Sequence, residues 1–253
     1  LKAAHERNAA RLLHVCNTHG GLYTKLGQFV STLNQLPAEY RTTLAACQDA
    51  APSVPFEQAR LVVEEELGRP LEAHFVRFER EPVAAASLAQ VHRATLRDGG
   101  GNVAVKVQYP QLSNQVTSDL RTLRVLSQLL GAAFSAYDYS WLVPDFSRDV
   151  AAELDFRREA DNARRAAAHF ATWPQVHVPR VVESLSTARV LTMEWIDGVR
   201  LDDRAGLASR RLRRGDFATL LSSTFAAMIF EHGFLHCDPH PGNLLARRCP
   251  ESG

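Results

Sequence analysis

The chain has 253 residues, with 29 Lys and Arg against 28 Asp and Glu, so its net charge is +1. At roughly 100–200 residues per domain, this length accommodates one domain with two lobes or two small domains around a sizeable core. The balanced charge supplies no global field selecting nucleic acid or an anionic surface as partner, and the basic run from Arg210 to Arg214 reads as a local, solvated loop.

From Ala3 to about Gln35 the apolar residues Leu12, Leu13, Val15, Leu22, Leu26, Phe29, Val30 and Leu33 recur at helical spacing. Gly20-Gly21 interrupts them, so the segment reads as two helices or one broken helix. Prolines at 37, 52 and 55 mark the next connection, and a helix from Phe56 to Leu67 is stopped by Gly68-Arg69-Pro70. The period then shortens. "AAASLAQVHRATLRDGGGNVAVKVQY" predicts two or three antiparallel strands, the last two joined through Gly99-Gly100-Gly101. Two long helices are expected at about 112–130 and 143–170, the second densely charged. Strand signals return in "VHVPRVVES" and "ARVLTMEWIDG", and a helix from Phe217 to His232, with Leu220, Leu221, Phe225, Met228 and Ile229 on one stripe, ends at Gly233. This order predicts an α+β fold with a mixed small lobe and a helical second lobe. Repeats and low-complexity tracts are absent from the sequence.

Four cysteines, Cys16, Cys47, Cys237 and Cys249, lie far apart without a Cys-x-x-Cys pair, which speaks against a disulfide framework or a cysteine-rich zinc site and fits a reducing compartment. No stretch approaches the roughly 20 apolar residues of a spanning helix, and no signal-like segment opens the chain. The first residue is Leu1, so the sequence reads as excised from a longer one.

Several motifs carry chemistry. Lys106 lies in the apolar run "VAVKV", where an ammonium must snorkel outward or meet a partner. A strand lysine after a turn of small residues is also how protein kinases hold the α- and β-phosphates. The turn in question is Ala84-Ala85-Ala86-Ser87. Its small side chains let a backbone approach phosphates but lack the positive-φ freedom of glycine, and a tightly packed strand or helix start reads equally well. Within "ELDFRREADN", Glu153 and Asp155 cannot share one helix face whereas Asp155 and Glu159 can, so the segment is a solvated helix or the source of a carboxylate for Lys106.

In "FLHCDPHPGNLL", Pro239 and Pro241 bar a helix, and His236, Asp238 and His240 alternate along an extended loop. A metal clip lacks a clear third ligand, and Cys237 lacks the accompaniment of a nucleophile. Asp238 followed five residues later by Asn243 matches the kinase catalytic loop, in which Asp takes the substrate hydroxyl's proton and Asn holds Mg²⁺ through a hard oxygen.

The ordered set "KLGQ" (Lys25, Gly27, Gln28), "AAAS", "ELDFRREADN" and "LHCDPHPGN" resembles the UbiB/aarF-domain (ADCK) family of atypical kinase-like proteins, over most of the chain, and especially its eukaryotic mitochondrial members. The resemblance implies a protein-kinase-like fold with three parts. These are an N-terminal helical extension at 1–70 carrying the Lys-x-Gly-Gln motif, a mixed small lobe with inserted helices at 71–198, and the start of a helical C-lobe at 199–253. It implies a nucleotide lysine at Lys106 with Glu159 as partner, a nucleotide loop at Ala84, Ala85, Ala86 and Ser87, and an adenine hinge at Met193, Glu194 and Trp195. It further implies a catalytic aspartate at Asp238, a metal ligand at Asn243, and a regulatory set made of the Lys-x-Gly-Gln motif (Lys25, Gly27, Gln28), which would lie across the substrate entrance, and the Glu-x-Asp motif of Glu153 and Asp155.

ATP and Mg²⁺ are the cofactors so implied. ATP binding with slow turnover, a link to coenzyme Q or mitochondrial lipid homeostasis, contact with lipid or a membrane surface, and a mitochondrial location complete the expectation. The sequence after Asn243 runs "LLARRCPESG" without an Asp-Phe-Gly-like motif, so turnover by this chain alone is not expected. The alternatives are a catalytically inactive interaction module and a small-molecule phosphotransferase.

Overall fold

The computed structural model describes residues 2–48, 53–110, 112–133, 142–237 and 240–248. The chain divides into two compact units, Leu1–Glu159 with Val182–Thr192, and Ala160–Val181 with Met193–Gly253.

The first unit opens with helices α1 (Lys2–His19) and α2 (Gly21–Thr32), broken as expected at the glycine pair. Gly20 sits at φ 63° and ψ −157°, a region only glycine enters freely, so the chain turns between the helices there without a strained side chain. Helix α3 (Ala38–Leu44) and a 3₁₀ turn at Ala45–Gln48 close this hairpin. Helix α4 (Phe56–Leu67) ends at Gly68, which is left-handed at φ 68°, and the short α5 (Leu71–His74) leads into the sheet.

Strands β1 (Phe75–Phe78), β2 (Ala84–Ala85), β3 (Ala89–Leu96), β4 (Asn102–Gln108) and β5 (Val190–Glu194) form one sheet in the order β1-β3-β4-β5, with β2 also pairing β3. The β3–β4 hairpin over the three glycines is antiparallel with Gln90 opposite Val107, His92 opposite Val105 and Ala94 opposite Val103. Alternation then decides the faces. Val103, Val105 and Val107 are buried against Ala59, Val62 and Val63 of α4 and Phe75 of β1, at about 1.5–3 kcal/mol per fully buried side chain. Lys106 necessarily points to the other side.

Two polar residues are wholly buried on the core face. The His92 Nδ1 lies 2.8 Å from the Glu79 carbonyl, which can only accept, so that nitrogen carries the proton and Nε2 accepts from the Gln90 amide at 2.9 Å. Gln90 in turn accepts from the Val54 N–H at 2.8 Å. Burial holds the His92 pKa below its ordinary value, which keeps the ring neutral and this network satisfied.

Helices α6 (Leu112–Ala133) and α7 (Leu142–Glu153) pack with α2 around Leu22, Leu112, Val116, Phe146 and Val150. The single helix expected from 143 to 170 is in fact two, because the chain breaks at Leu154-Asp155 before α8 (Phe156–His169). The signal was a cap: the Asp155 Oδ1 accepts the Arg157 N–H at 3.1 Å, so Asp155 starts a helix rather than continuing one.

The second unit takes the rest of α8, then α9 (Arg204–Ser209), α10 (Arg214–Phe230) and the two-stranded pair β6 (Val199–Arg200) and β7 (Leu245–Ala246), packed around Val199, Leu207 and Ala246. Residues 176–184, read as a strand, contribute only the bridge of Val181 to Met193 and a 3₁₀ turn at Glu183–Leu185, since prolines at 174 and 179 interrupt any ladder. Strand β1, by contrast, had no alternating pattern to announce it. On α10 the expected stripe is only half-buried, while Ile229 and Phe230 are exposed.

Candidate functional site

Lys106 and Glu159, 53 residues apart in sequence, meet at 2.6 Å between Nζ and Oε2. The strand supplies one end and the first turn of α8 the other, where a carboxylate is favoured by the helix N-terminus. The start of α8 is fixed by the Asp155 cap and by the Phe156 N–H donating to the Ala188 carbonyl at 2.9 Å. Phe156, three residues before Glu159 and so on the same side of the helix, lies under the ammonium at 4.8 Å from its ring centroid. Lys106 is about one-quarter exposed, so the snorkelling reading gives way to a held cation with a partner below and beside it. Phe156 was missed in the sequence, although its i, i+3 spacing from Glu159 was the available signal.

The alanine turn shares a face with this lysine. Ala84 pairs Val91, and Val91 pairs Lys106, so the three form a row across β2, β3 and β4. The turn is closed by the Ala86 N–H donating to Ala89 at 2.7 Å, and Arg211 is the one non-glycine residue with positive φ among the described residues. Alanine therefore suffices here, because no position in Ala84–Ser87 needs the left-handed conformations of glycine. Tyr109, also unannounced by the sequence, pins the turn: its hydroxyl donates to the Ala86 carbonyl at 2.9 Å and its N–H to Leu88 at 3.2 Å. Burial pushes the Tyr109 pKa up to about 12, so the phenol stays a donor.

A second ion pair joins the helical motifs. The Lys25 Nζ of α2 reaches the Glu153 Oε1 of α7 at 2.6 Å. Gly27 faces the other way, and a Cβ there would lie 2.8 Å from the Cys47 Sγ and 2.9 Å from the Cys16 Sγ. Glycine is thus required by the close approach of α2 to both thiols. Burial and then the neighbouring Cys47 push the Cys16 thiol up to about 12, and burial raises Cys47 as well, which disfavours the thiolate at both. Gln28 Nε2 donates to the Cys47 carbonyl at 2.9 Å, and the buried Thr24 hydroxyl to the Cys16 carbonyl at 3.2 Å. Asp155 of the Glu-x-Asp motif accepts from the Arg157 guanidinium at 2.8 and 3.0 Å and caps α8 through the Arg157 N–H, which together hold its pKa below the usual carboxylate range.

In the second unit, Met193 bridges Val181, and the Glu194 N–H donates to the Arg180 carbonyl at 2.8 Å. Burial pushes the Glu194 carboxyl up, but the Arg180 N–H and His177, 3.0 Å away, outweigh it and hold the pKa low. Trp195 is half-buried. The "HCDPHPGN" loop has defined ends. It leaves α10 through Gly233, left-handed at φ 54°, with the Phe234 N–H on the Met228 carbonyl. His169 and His232 stack at 4.4 Å beside this exit, with Phe234 edge-on to His169. The loop re-enters the fold through a 3₁₀ turn at Pro241–Asn243, where Gly242 and Asn243 donate to His240, and then β7. Asn243 is exposed, and Asp238 lies outside the described residues. Among the described residues, no group of three or more His, Cys, Asp or Glu could hold a metal ion. A cavity of about 270 Å³ is lined by Arg77, Glu79, Arg93, Ala94, Thr95 and Asn102 and does not include Lys106.

Residues 46–252 match the family described as ABC1 atypical kinase-like domain. The chain is 40% identical over 249 residues to AarF domain-containing protein kinase 1 of Xenopus tropicalis and 38% identical over 250 residues to the protein of that name from Mus musculus, in each case over 98% of this chain and 47% of the relative. Among solved structures it is similar to one titled as the complex structure of Rv3197-erythromycin from Mycobacterium tuberculosis, at 30% identity and a TM-score of 0.64, over 96% of this chain and 62% of that one. The chain therefore spans about half the length of the curated relatives it matches.

Proposed function

Since the chain belongs to the ABC1 atypical kinase-like family, we propose that it carries the nucleotide-holding part of an ATP-dependent enzyme, with Lys106 as the phosphate-binding cation. The observation that carries this reading is the Lys106–Glu159 pair at 2.6 Å over the Phe156 ring. An ammonium has three N–H donors; Glu159 takes one, leaving donors for α- and β-phosphate oxygens. Holding the cation in advance removes the cost of ordering a long side chain when nucleotide arrives. The Ala84–Ser87 turn offers a small-residue backbone on the same face, fixed by Tyr109. Asn243 offers a hard oxygen of the kind Mg²⁺ takes, and Asp238 the carboxylate that would accept a substrate proton. Bound Mg²⁺–ATP would supply the transferable phosphoryl group and the charge that neutralises its transfer. Lys25 and Glu153, joined at 2.6 Å, would act as the guard pair that limits which substrates approach.

Mg²⁺–ATP at saturating concentration should raise the melting midpoint by roughly 5–10 °C. Lys106→Ala should abolish that shift and Asp238→Asn should reduce it. An undiminished shift in Lys106→Ala, or none in the parent with any divalent ion, sinks the reading.

A second reading, nucleotide binding without turnover, is favoured by alanine standing where kinases carry glycine, since the turn lacks the freedom to close over a transferring phosphate. Measuring ATP hydrolysis by the longer protein separates the two. By its resemblance to the aarF-domain kinases, the whole protein is proposed to act in mitochondria, in coenzyme Q or lipid homeostasis and in association with a membrane surface.

A further inference from the structure

Cys16 stands near the end of α1 and Cys47 in the 3₁₀ turn after α3, so α2 lies between them in sequence. Both are free thiols, 7% and 1% exposed. One point locates both sulfurs. The position a Cβ on Gly27 would occupy is 2.9 Å from the Cys16 Sγ and 2.8 Å from the Cys47 Sγ. The sulfurs are therefore at most about 6 Å apart, a range from which side-chain rotation and small backbone shifts reach a bond of ~2.05 Å. They are also near enough to act on each other's titration.

One face of α2 positions the pair. Thr24, Gly27 and Gln28 stand at i, i+3 and i+4. The Thr24 hydroxyl donates to the Cys16 carbonyl at 3.2 Å, Gln28 Nε2 donates to the Cys47 carbonyl at 2.9 Å, and Gly27 leaves the space that both sulfurs occupy. A bond between the two cysteines would enclose α2 and α3 in one loop and tie α1 to the turn that ends it. Burial disfavours both thiolates, so the closed hairpin withholds the pair from oxidants. The thiols react when the helices open locally, and a bond once made restricts every later opening.

We propose that Cys16 and Cys47 form a reversible disulfide that locks α1 to the turn after α3 across α2, the helix carrying Lys25, Gly27 and Gln28. A small-molecule disulfide is the oxidant. One cysteine thiolate attacks it and releases a first thiol; the second thiolate attacks the mixed disulfide and releases another. One S–S bond breaks and one forms, and the two electrons and two protons of the cysteines leave on the two released thiols. This lock is independent of the nucleotide reading above.

Oxidised glutathione is the probe, followed by alkylation of free thiols, digestion and mass analysis. The expected product is a Cys16–Cys47 linked peptide two hydrogens lighter than its parts, formed slowly in native buffer and faster in urea below the unfolding transition. The linked protein should melt higher than the reduced one by on the order of 10 °C, reversed by dithiothreitol. Amide hydrogen exchange across residues 21–32 should slow at least about tenfold. Cys16→Ala and Cys47→Ala should each lose all three effects, and the parent with and without dithiothreitol supplies the comparison if either variant fails to fold. Glutathione retained on one cysteine, linkage to Cys237 or Cys249 instead, or no linkage even in urea overturns the pair. A linked protein that melts no higher, or exchanges α2 amides as fast as before, overturns the lock. None of these readouts involves nucleotide, so they stand whether or not Lys106 binds phosphate.

Discussion

Two lysine–glutamate pairs in the first unit have the same length, 2.6 Å, and nearly the same exposure, 24% and 45% for Lys106 and Glu159 against 27% and 44% for Lys25 and Glu153. Their settings differ. Glu159 stands in the first turn of α8, where the helix end favours a carboxylate, whereas Glu153 is the last residue of α7, where it does not. Lys106 is carried by a strand laddered on both sides and underlaid by Phe156; Lys25 is carried by α2, whose seat depends on Gly27 fitting against two thiols. Equal distances therefore conceal different construction. One pair is held by its surroundings, while the other is itself part of what holds two helices in register.

The largest effect that would break this comparison is at Gly27. Gly27→Val forces a branched side chain against Cys16 and Cys47 and should destabilise the protein by about 3 kcal/mol in chemical denaturation, within the usual range for overpacking. The remaining folded protein should still show the full Mg²⁺–ATP shift, because the Lys106 centre does not depend on that contact.

Next comes Asp155→Ala, which removes the α8 cap and should cost about 1 kcal/mol. It should also weaken nucleotide stabilisation, since Glu159 rides on that first turn. The corresponding pH dependence has a definite sign. The folded pKa of Asp155 lies below its unfolded value, so this contribution is fully present above pH ~4 and is lost as the pH falls through the folded pKa. Acid titration of the parent against Asp155→Ala should show the two stabilities converging below pH ~4.

A smaller effect sharpens the contrast. Glu159→Gln and Glu153→Gln should each change stability by at most about 1 kcal/mol, as partly exposed pairs do. Only Glu159→Gln should reduce the ATP-induced shift, because it alone frees the ammonium proposed to hold phosphate. The smallest expected signal is the Lys25–Glu153 coupling in a double-mutant cycle, about 0.5 kcal/mol and falling with salt.

Much of this construction is written in local sequence. The glycine break at residues 20–21, the β3–β4 hairpin over Gly99–Gly101, the α4 stop at Gly68 and the lysine in an apolar strand all follow from backbone freedom and side-chain period. The ordered motifs carried the family, since their spacing survives without knowledge of distance. What the sequence could not say is who meets whom. Asp155 looked like a helix-face carboxylate and is a cap, because the choice between continuing and restarting a helix was made by the Phe156 N–H finding the Ala188 carbonyl, 32 residues further on. Ala84–Ser87 looked like a deficient glycine loop, yet the turn it forms needs no positive φ. Tyr109 and Cys47 act through contacts that have no periodic signature, and the i, i+3 spacing of Phe156 from Glu159 does not by itself place a lysine over the ring. Local propensity set the elements; the pairing of Lys106 with Glu159 and the requirement for glycine at 27 arise only when strands, helices and thiols from distant parts of the chain are brought within a few ångströms.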